Sequence, residues 1–103
     1  MMLLNERKIV LSIVSYALDK GLLVSVNDGE EDTLDYSTDI NKIFEALDTT
    51  GEDYIFFHNA EMKQLGYYWL IYGNGNEGWD VVSDSSVTHL IDEIDLHLQD
   101  LKL

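Results

Sequence analysis

The chain lacks the residues and segments that several classes of protein require. It has no cysteine, which excludes disulfide bonds, thiolate nucleophiles and zinc sites with cysteine ligands. Residues 1–4 are apolar, but polar and charged residues follow at once, so this start does not have the pattern of a signal peptide. The longest apolar stretches are far shorter than the roughly 20 residues of a membrane-spanning helix. We therefore expect a cytoplasmic protein that does not bind a membrane.

Positive charge is also scarce. Six Lys and Arg residues stand against 20 Asp and Glu residues, which gives a formal net charge of −14 at pH 7. Residues 28–53 contain ten carboxylates and a single cation, Lys42, while residues 77–100 contain seven carboxylates and no Lys or Arg. Such a distribution repels nucleic acid and anionic lipid, and it attracts basic protein surfaces. The alternative interpretation, that the charge serves only solubility, stays open.

The rest of the composition is that of a folded protein. Hydrophobic residues make up 46% of the 103 residues and 11% are aromatic, whereas acidic disordered segments contain few aromatic residues. A chain of this length buries roughly 65% of its unfolded surface, which is enough for a hydrophobic core. We therefore predict one domain that spans residues 1–103, with no repeats and no linker.

The spacing of apolar residues predicts three helices. The first begins with a cap at Asn5 and runs to about Asp19. The second begins with a cap at Ser37 or Thr38, and the third begins with a cap at Ser85 or Ser86. The third has the longest apolar stripe, which consists of Val87, Leu90, Ile91, Ile94, Leu98 and Leu101.

Between these helices, β-branched and aromatic residues predict five strands. The turn at Asp28 and Gly29 joins the first two strands into a hairpin in which Leu34 and Tyr36 face the core. The predicted order is α-β-β-α-β-β-β-α, and the predicted fold class is α+β, an antiparallel sheet of four to five strands with helices packed on it. The predicted strands cover residues 22–26, 33–36, 54–58, 65–72 and 79–82.

Four short motifs resemble those of one protein family. The chain has DGEE at residues 28–31, STD at 37–39, TGED at 50–53 and YGN at 72–74. In this order, across roughly residues 16–84, they resemble a family of small acidic proteins encoded by tailed bacteriophages and prophages. Asp32 departs from the family, which usually has an aromatic residue there, and Asp35 stands where the family has a basic pair. The resemblance implies an accessory protein in the host-cell cytoplasm, and it implies no catalytic residue.

The predicted C-terminal helix contains the candidate metal ligands of the chain. His89, Glu93 and His97 follow one another at intervals of four residues, and Asp100 comes next, so all four lie on one polar strip. Imidazole and carboxylate are metal-ligand types, but one straight helix cannot place four of them around a single ion. A solvated helix face is the simpler interpretation. We predict no metal site and no cofactor.

No other segment has a catalytic pattern. The acidic hairpin lacks the Gly and the Glu that a calcium-binding loop needs at its sixth and twelfth places. The glycine-rich residues 73–78 join two strands and contain no Lys, whereas a phosphate site needs a helix N-terminus. We therefore predict that the protein is not an enzyme.

The two strands with the most aromatic residues carry them on both faces, so one face is covered by helices and the other is either covered as well or available for binding.

We predict an interaction protein that binds a basic surface of a host or phage protein, and in a more specific version one that mimics DNA. It would not bind nucleic acid directly. A small metal- or ligand-binding domain built on the C-terminal helix is the alternative. Leu96, opposite the buried stripe of that helix, suggests a homodimer. The predicted interaction residues are Asp28, Glu30, Glu31, Asp32, Asp35, Tyr67, Trp69 and Leu96.

Overall fold

The computed structural model describes all 103 residues, Met1–Leu103. Its elements confirm the predicted α+β fold and the predicted order of helices and strands, with one short 3₁₀ helix, Trp79–Val81, before the last strand. The elements are α1 (Leu4–Asp19), β1 (Leu23–Asn27), β2 (Asp32–Ser37), α2 (Ile40–Ala46), β3 (Glu52–His58), β4 (Gln64–Ile71), β5 (Val82–Ser85) and α3 (His89–Gln99).

The five strands form one antiparallel sheet in the order β2-β1-β3-β4-β5. Side chains alternate between the two faces of a strand, and in β3 and β4 every second residue is buried. The buried set includes Ile55, Phe57 and Tyr68, all with no exposed surface. One face of the sheet therefore belongs to the core.

All three helices lie against that face. Ile13 of α1, Ile43 of α2 and Ile91 of α3 belong to a single hydrophobic cluster with the buried strand residues. Gly66 of β4 permits the close approach of α3, because a Cβ atom at this position would lie 2.9 Å from Ile91 Cγ1. No helix packs on the opposite face of the sheet. None of the helices has the length and apolar character that crossing a membrane would require.

The helix starts differ from the predicted caps. The second helix is capped by Asp39, whose carboxylate accepts from the amides of Asn41 at 2.9 Å and Lys42 at 3.4 Å. Ser37 instead accepts from the amide of Asp39 at 3.0 Å, so it stands outside the helix. A carboxylate accepts more strongly than a hydroxyl, and it also interacts favourably with the helix dipole.

The predictions for the fifth strand and the start of α3 are wrong by several residues. Residues 79–81 form the 3₁₀ helix, so the strand begins only at Val82. Thr88 is the N-cap of α3, with its Oγ1 accepting from the amide of Ile91 at 3.5 Å. Val87 therefore lies before the helix and is 96% exposed rather than part of the stripe. The other predicted stripe residues of α3 are buried or partly buried against the core.

Candidate functional site

The face of the sheet that no helix covers carries four aromatic side chains. Tyr54 and Phe56 come from β3, and Tyr67 and Trp69 come from β4. None of the four belongs to the hydrophobic core cluster or packs against it. We call this side of the sheet the open face. The sequence left open whether this aromatic face is covered by a helix or available for binding. In the structure no helix covers it.

The four rings of the open face contact one another. Tyr54 stacks on Trp69 with 5.8 Å between ring centroids and an interplanar angle of 6°. Tyr54 also stacks on Phe56 at 6.1 Å, and Phe56 lies 6.0 Å from Tyr67. Pairs at these separations are each worth roughly 0.5–1.5 kcal/mol beyond the area that they bury. The rings are half-buried because they cover each other, and their outer surfaces face solvent.

Strand register places carboxylates at both ends of the aromatic row. Asn27 pairs with Tyr54, Tyr54 with Trp69, and Trp69 with Asp84 of the edge strand β5. On the other side, Asn27 pairs with Asp32 of the edge strand β2, and its side-chain amide donates to Asp32 Oδ1 at 2.9 Å. The row therefore crosses all five strands, with aromatic rings in its middle and an acid at each edge.

A further carboxylate borders the rings from within the sheet. Glu52 Oε2 accepts the indole N–H of Trp69 at 3.0 Å. By contrast, no residue of the five strands is Lys or Arg. The cations lie instead on the helices, at their ends or in the turn after β3, and they are Arg7, Lys8, Lys20, Lys42, Lys63 and Lys102. The open face is therefore acidic and has no cation of its own.

The predicted acidic hairpin contributes to this edge, with one exception. Glu30, Glu31, Asp32 and Asp35 are exposed. Asp28 is only 9% exposed, and its Oδ1 accepts from the amides of Glu30 and Glu31, both at 2.9 Å. These hydrogen bonds from Glu31 and Glu30 lower the pKa of Asp28. The carboxylate of Asp28 therefore holds the turn and presents little surface to a partner.

Tyr36 is also placed differently from the prediction, which had it facing the core. The pairing of β1 with β2 is irregular on both sides of Val26, and Tyr36 has a positive φ of 48°. This bulge turns the Tyr36 ring to the open face, where it meets His58 edge-on with 4.7 Å between centroids. A bulky residue in this conformation costs of order 1 kcal/mol or more.

His58 lies at the floor of a small recess beside Tyr36. His58 is 7% exposed, and both ring nitrogens are buried with almost no accessible surface and no hydrogen bond of good geometry. Burial lowers the pKa of His58 below its ordinary value, although the Met62 backbone and the charge of Asp35 act in the opposite direction, so the ring is neutral at neutral pH. We call this cavity, with a volume of about 160 Å³, the His58 recess; its other lining residues are Ser25, Asp32, Asp35, Tyr36, Phe56 and Gln64.

Sequence reasoning missed the His58 recess. Strand alternation puts His58 on the same face as Tyr54 and Phe56, so its position could have been predicted. The recess itself depends on the bulge in β2, which brings Tyr36 over the ring. Nothing in the local sequence distinguishes this bulge from a regular hairpin strand.

Three of the four candidate metal ligands of α3 contact other side chains through hydrogen bonds or ion pairs. Glu93 forms an ion pair with Lys20 at 3.0 Å and accepts the Tyr16 hydroxyl at 3.1 Å, and these two contacts lower its pKa. His97 Nε2 lies 3.1 Å from the Ser12 hydroxyl. His89 contacts Glu93 at 3.1 Å, and Asp100 is exposed at the end of the helix. No group of three or more such side chains is placed to hold a metal ion.

The remaining predicted interaction residue, Leu96, lies on the outer side of α3. It is 63% exposed, and Leu103 beyond the helix is 41% exposed. Both lie apart from the open face, which is formed by the strands. The predicted interaction residues therefore fall into two separate surfaces.

Comparison of the chain with protein-family models, with curated proteins and with solved structures gave no match. The resemblance to the phage-encoded family therefore stays a prediction.

Proposed function

We propose that this protein is a non-enzymatic interaction protein that binds a basic surface of another protein through its open face. The observation that carries the proposal is the cross-strand row from Asp32 to Asp84, with Tyr54 and Trp69 between them and no cation on any strand. Aromatic centres with polar rims are typical of protein interfaces.

The two parts of the row would act differently. The rings are held against one another, so little side-chain freedom is left to lose on binding, and their outer surfaces can be desolvated by a partner. The carboxylates of Asp32, Glu52 and Asp84 would set the choice of a basic partner and speed its approach. The net charge of −14 strengthens this long-range attraction at low salt.

A more specific form of the proposal concerns DNA-binding proteins. Their grooves combine basic residues that contact phosphates with a shape that accepts a regular array of negative charge. As a phage-encoded accessory protein, this chain would occupy such a groove and exclude DNA from it. The hairpin carboxylates Glu30, Glu31 and Asp32, which are exposed and adjacent, support this form.

The proposal is tested by capture from bacterial lysate with two variants of equal net charge. One variant replaces Asp32, Asp35 and Asp84 with Lys, all at the open face or its edge. The matched control carries three exposed acids changed to Lys on the helices, Asp19, Glu45 and Asp92. Captured proteins are identified by mass spectrometry at low salt and at about 0.5 M salt, where the Debye length falls to a few ångströms.

We expect a basic partner that the wild type and the control variant retain at low salt. The open-face variant should lose it, and so should the wild type at high salt, because both changes remove the charge attraction. A partner lost equally by both variants would mean that only net charge matters. Absence of any basic partner at either salt concentration would overturn the proposal.

A further inference from the structure

The loop between β4 and the 3₁₀ helix contains a chemically reactive pair of residues. The chain has six Asn residues, and only Asn74 is followed by a glycine. Both Asn74 and Gly75 are exposed. The side-chain amide of an Asn in such a pair can be attacked by the next backbone nitrogen, because glycine has no Cβ to obstruct the approach. The pair is therefore a candidate for spontaneous modification.

The attacking nitrogen of this pair is free in the structure. The Gly75 amide donates no hydrogen bond to any group of the protein. An exposed amide without a partner exchanges its proton with water, and its deprotonated form is the nucleophile of this reaction. Gly75 has a φ of 136°, which residues with a Cβ rarely adopt. The backbone conformation of the loop therefore favours glycine here, and the reactive pair is kept.

The turn between β1 and β2 provides an internal comparison, because Asp28 is also followed by a glycine. There the Gly29 amide donates to Asn27 Oδ1 at 2.8 Å. The Asp28 carboxylate accepts from two amides, and the residue is only 9% exposed. Both reacting groups of this second pair are therefore engaged in hydrogen bonds, whereas the nitrogen of Gly75 is not.

We propose that Asn74 is a site of spontaneous deamidation in the folded protein and that the modification releases the loop from α1. The Gly75 nitrogen forms a bond to Asn74 Cγ, and the bond from Cγ to Nδ2 breaks. Nδ2 leaves as ammonia with the proton of the Gly75 amide, so a cyclic imide remains. Water then opens the imide at either carbonyl group and leaves aspartate or isoaspartate at position 74. The reaction is independent of what the open face binds.

The intact Asn74 side chain holds the loop in place. Its Nδ2 donates to the carbonyl oxygens of Ile71 at 3.2 Å and Asp80 at 3.3 Å. The backbone amide of Asn74 donates to Oε2 of the buried Glu6 at 2.9 Å. Deamidation replaces the donor by a carboxylate oxygen, so both carbonyl oxygens would face another acceptor. The new negative charge would also lie near the carboxylate of Glu6, and like charges repel.

The isoaspartate product would disturb the loop further, because it adds a carbon atom to the backbone after residue 74. The loop contacts α1 on both sides of that point. Asn74 donates to Glu6 on one side, and the Asn76 carbonyl accepts from Asn5 Nδ2 at 2.8 Å on the other. Gly78 also lies against α1, since a Cβ atom there would be 2.8 Å from Asn5 Cβ. A longer backbone between two fixed points has to displace one of them.

Peptide mapping of the intact, folded protein measures the modification. The protein is incubated at physiological temperature and mildly alkaline pH, digested with trypsin and analysed by mass spectrometry. Trypsin cleaves after Lys63 and Lys102, so Asn74 and Asn76 lie in one peptide and Asn76 serves as the internal control. We expect Asn74 to convert several-fold faster than Asn76, with aspartate and isoaspartate as products. Conversion of Asn74 that is no faster than that of Asn76 would overturn the assignment.

Two variants of equal charge test the structural consequence. Asn74→Asp reproduces one product, and Asn76→Asp places the same charge at a neighbouring exposed position. We expect Asn74→Asp to lower Tm by roughly 4–8 °C, the shift that the loss of one good hydrogen bond produces in a domain of this size. Asn76→Asp should change Tm much less. The peptide mapping does not depend on the folding of either variant.

Hydrogen exchange locates the effect in the loop. The amides of Gly73 and Asn74 are bonded to Glu6, so they should exchange faster in Asn74→Asp and not in Asn76→Asp. Equal Tm values and equal exchange in the two variants would show that the loop does not depend on the Asn74 side-chain amide, and would overturn its release by deamidation.

Discussion

Tyr72 donates a hydrogen bond to Asp53 inside the protein, with 2.6 Å between Oη and Oδ2. The amide of Asp48 donates to the same oxygen at 2.7 Å, while Asp53 Oδ1 is buried without a partner. Burial raises the pKa of Asp53 from 3.8 to about 6, although the hydrogen bonds from Tyr72 and Asp48 act in the opposite direction. The folded protein therefore binds a proton here at a pH where the unfolded chain has released it.

This proton makes the protein more stable in mild acid. A raised folded-state pKa gives stabilisation that is complete below 3.8 and is lost as the pH rises through about 6. The contribution of Asp53 to the free energy of unfolding should therefore increase by about 1.4 kcal/mol between about pH 7.5 and pH 5. The lowered pKa of His58 acts in the opposite direction over this range, but equally in wild type and in Asp53→Asn. Urea unfolding at several pH values therefore measures the difference between the two proteins, and a difference that does not shift in favour of the wild type on acidification would contradict the assignment.

The local sequence pattern predicted the faces of the strands but not the buried acidic residues. Alternation along β3 places Ile55 and Phe57 on one face of the sheet and Tyr54 and Phe56 on the other, because successive side chains of a strand point to opposite faces. The same alternation places Asp53 in the core, but a charged residue there is rarely expected. Glu6 is a second case, since its amide partners at Gly73 and Asn74 are 67 and 68 residues away. Contacts of this range follow from topology, which local spacing does not encode.

Glu6 should be essential for the stability of this end of the protein. It is fully buried, Oε1 accepts from the amides of Leu3 at 2.8 Å and Gly73 at 2.9 Å, and Oε2 accepts from Asn74 at 2.9 Å. Burial alone would raise the pKa of Glu6, but the three amide donors outweigh it and lower the pKa. Glu6→Gln puts an NH₂ group against an amide N–H, so we expect a loss of roughly 2–3 kcal/mol at neutral pH.

Urea unfolding compares this variant with Glu45→Gln, an exposed glutamate of α2. The control should change stability by less than about 0.5 kcal/mol. Because the pKa of Glu6 is lowered, its stabilisation is lost as the pH falls below the ordinary value of 4.5. The difference between wild type and Glu6→Gln should therefore shrink in strong acid. A difference that is independent of pH would mean that shape and not charge matters at this position.

The polar strip of α3 should not form a tight metal site. Zinc would have to displace Lys20 from Glu93 and the Ser12 hydroxyl from His97, and one helix would still leave its coordination incomplete. Calorimetric titration should give no zinc affinity tighter than about the micromolar range. A tight one-to-one isotherm that disappears in His97→Ala would show that the helix does hold a metal ion.

The DNA-mimicry form of the proposed function predicts competition. A basic partner of the open face should bind a labelled DNA duplex, and this protein should displace it in a fluorescence anisotropy assay. Replacing Glu30, Glu31 and Asp32 with Lys should weaken the displacement more than the helix reversals at Asp19, Glu45 and Asp92 do, because the hairpin acids adjoin the open face. Equal displacement by the two variants would mean that net charge alone, and not the hairpin, competes with DNA.

The last prediction concerns self-association through the outer side of α3. Leu96 and Leu103 leave apolar surface in solvent on the side away from the core, and a symmetric contact between two copies would cover it. Asp92 and Asp95 are exposed on the same helix, so a two-fold axis there would bring carboxylates of the two copies together.

Salt screens this repulsion, so a dimer should tighten between about 50 mM and 500 mM NaCl. The capture of a basic partner should show the opposite dependence, because salt weakens its attraction to the acidic open face. Light scattering measures the mass at both concentrations. Leu96→Ser should remove the dimer, whereas Leu11→Ser, which changes an exposed leucine of α1, should not. A monomeric mass at both salt concentrations would make Leu96 an ordinary exposed leucine and leave the open face as the one predicted interaction surface.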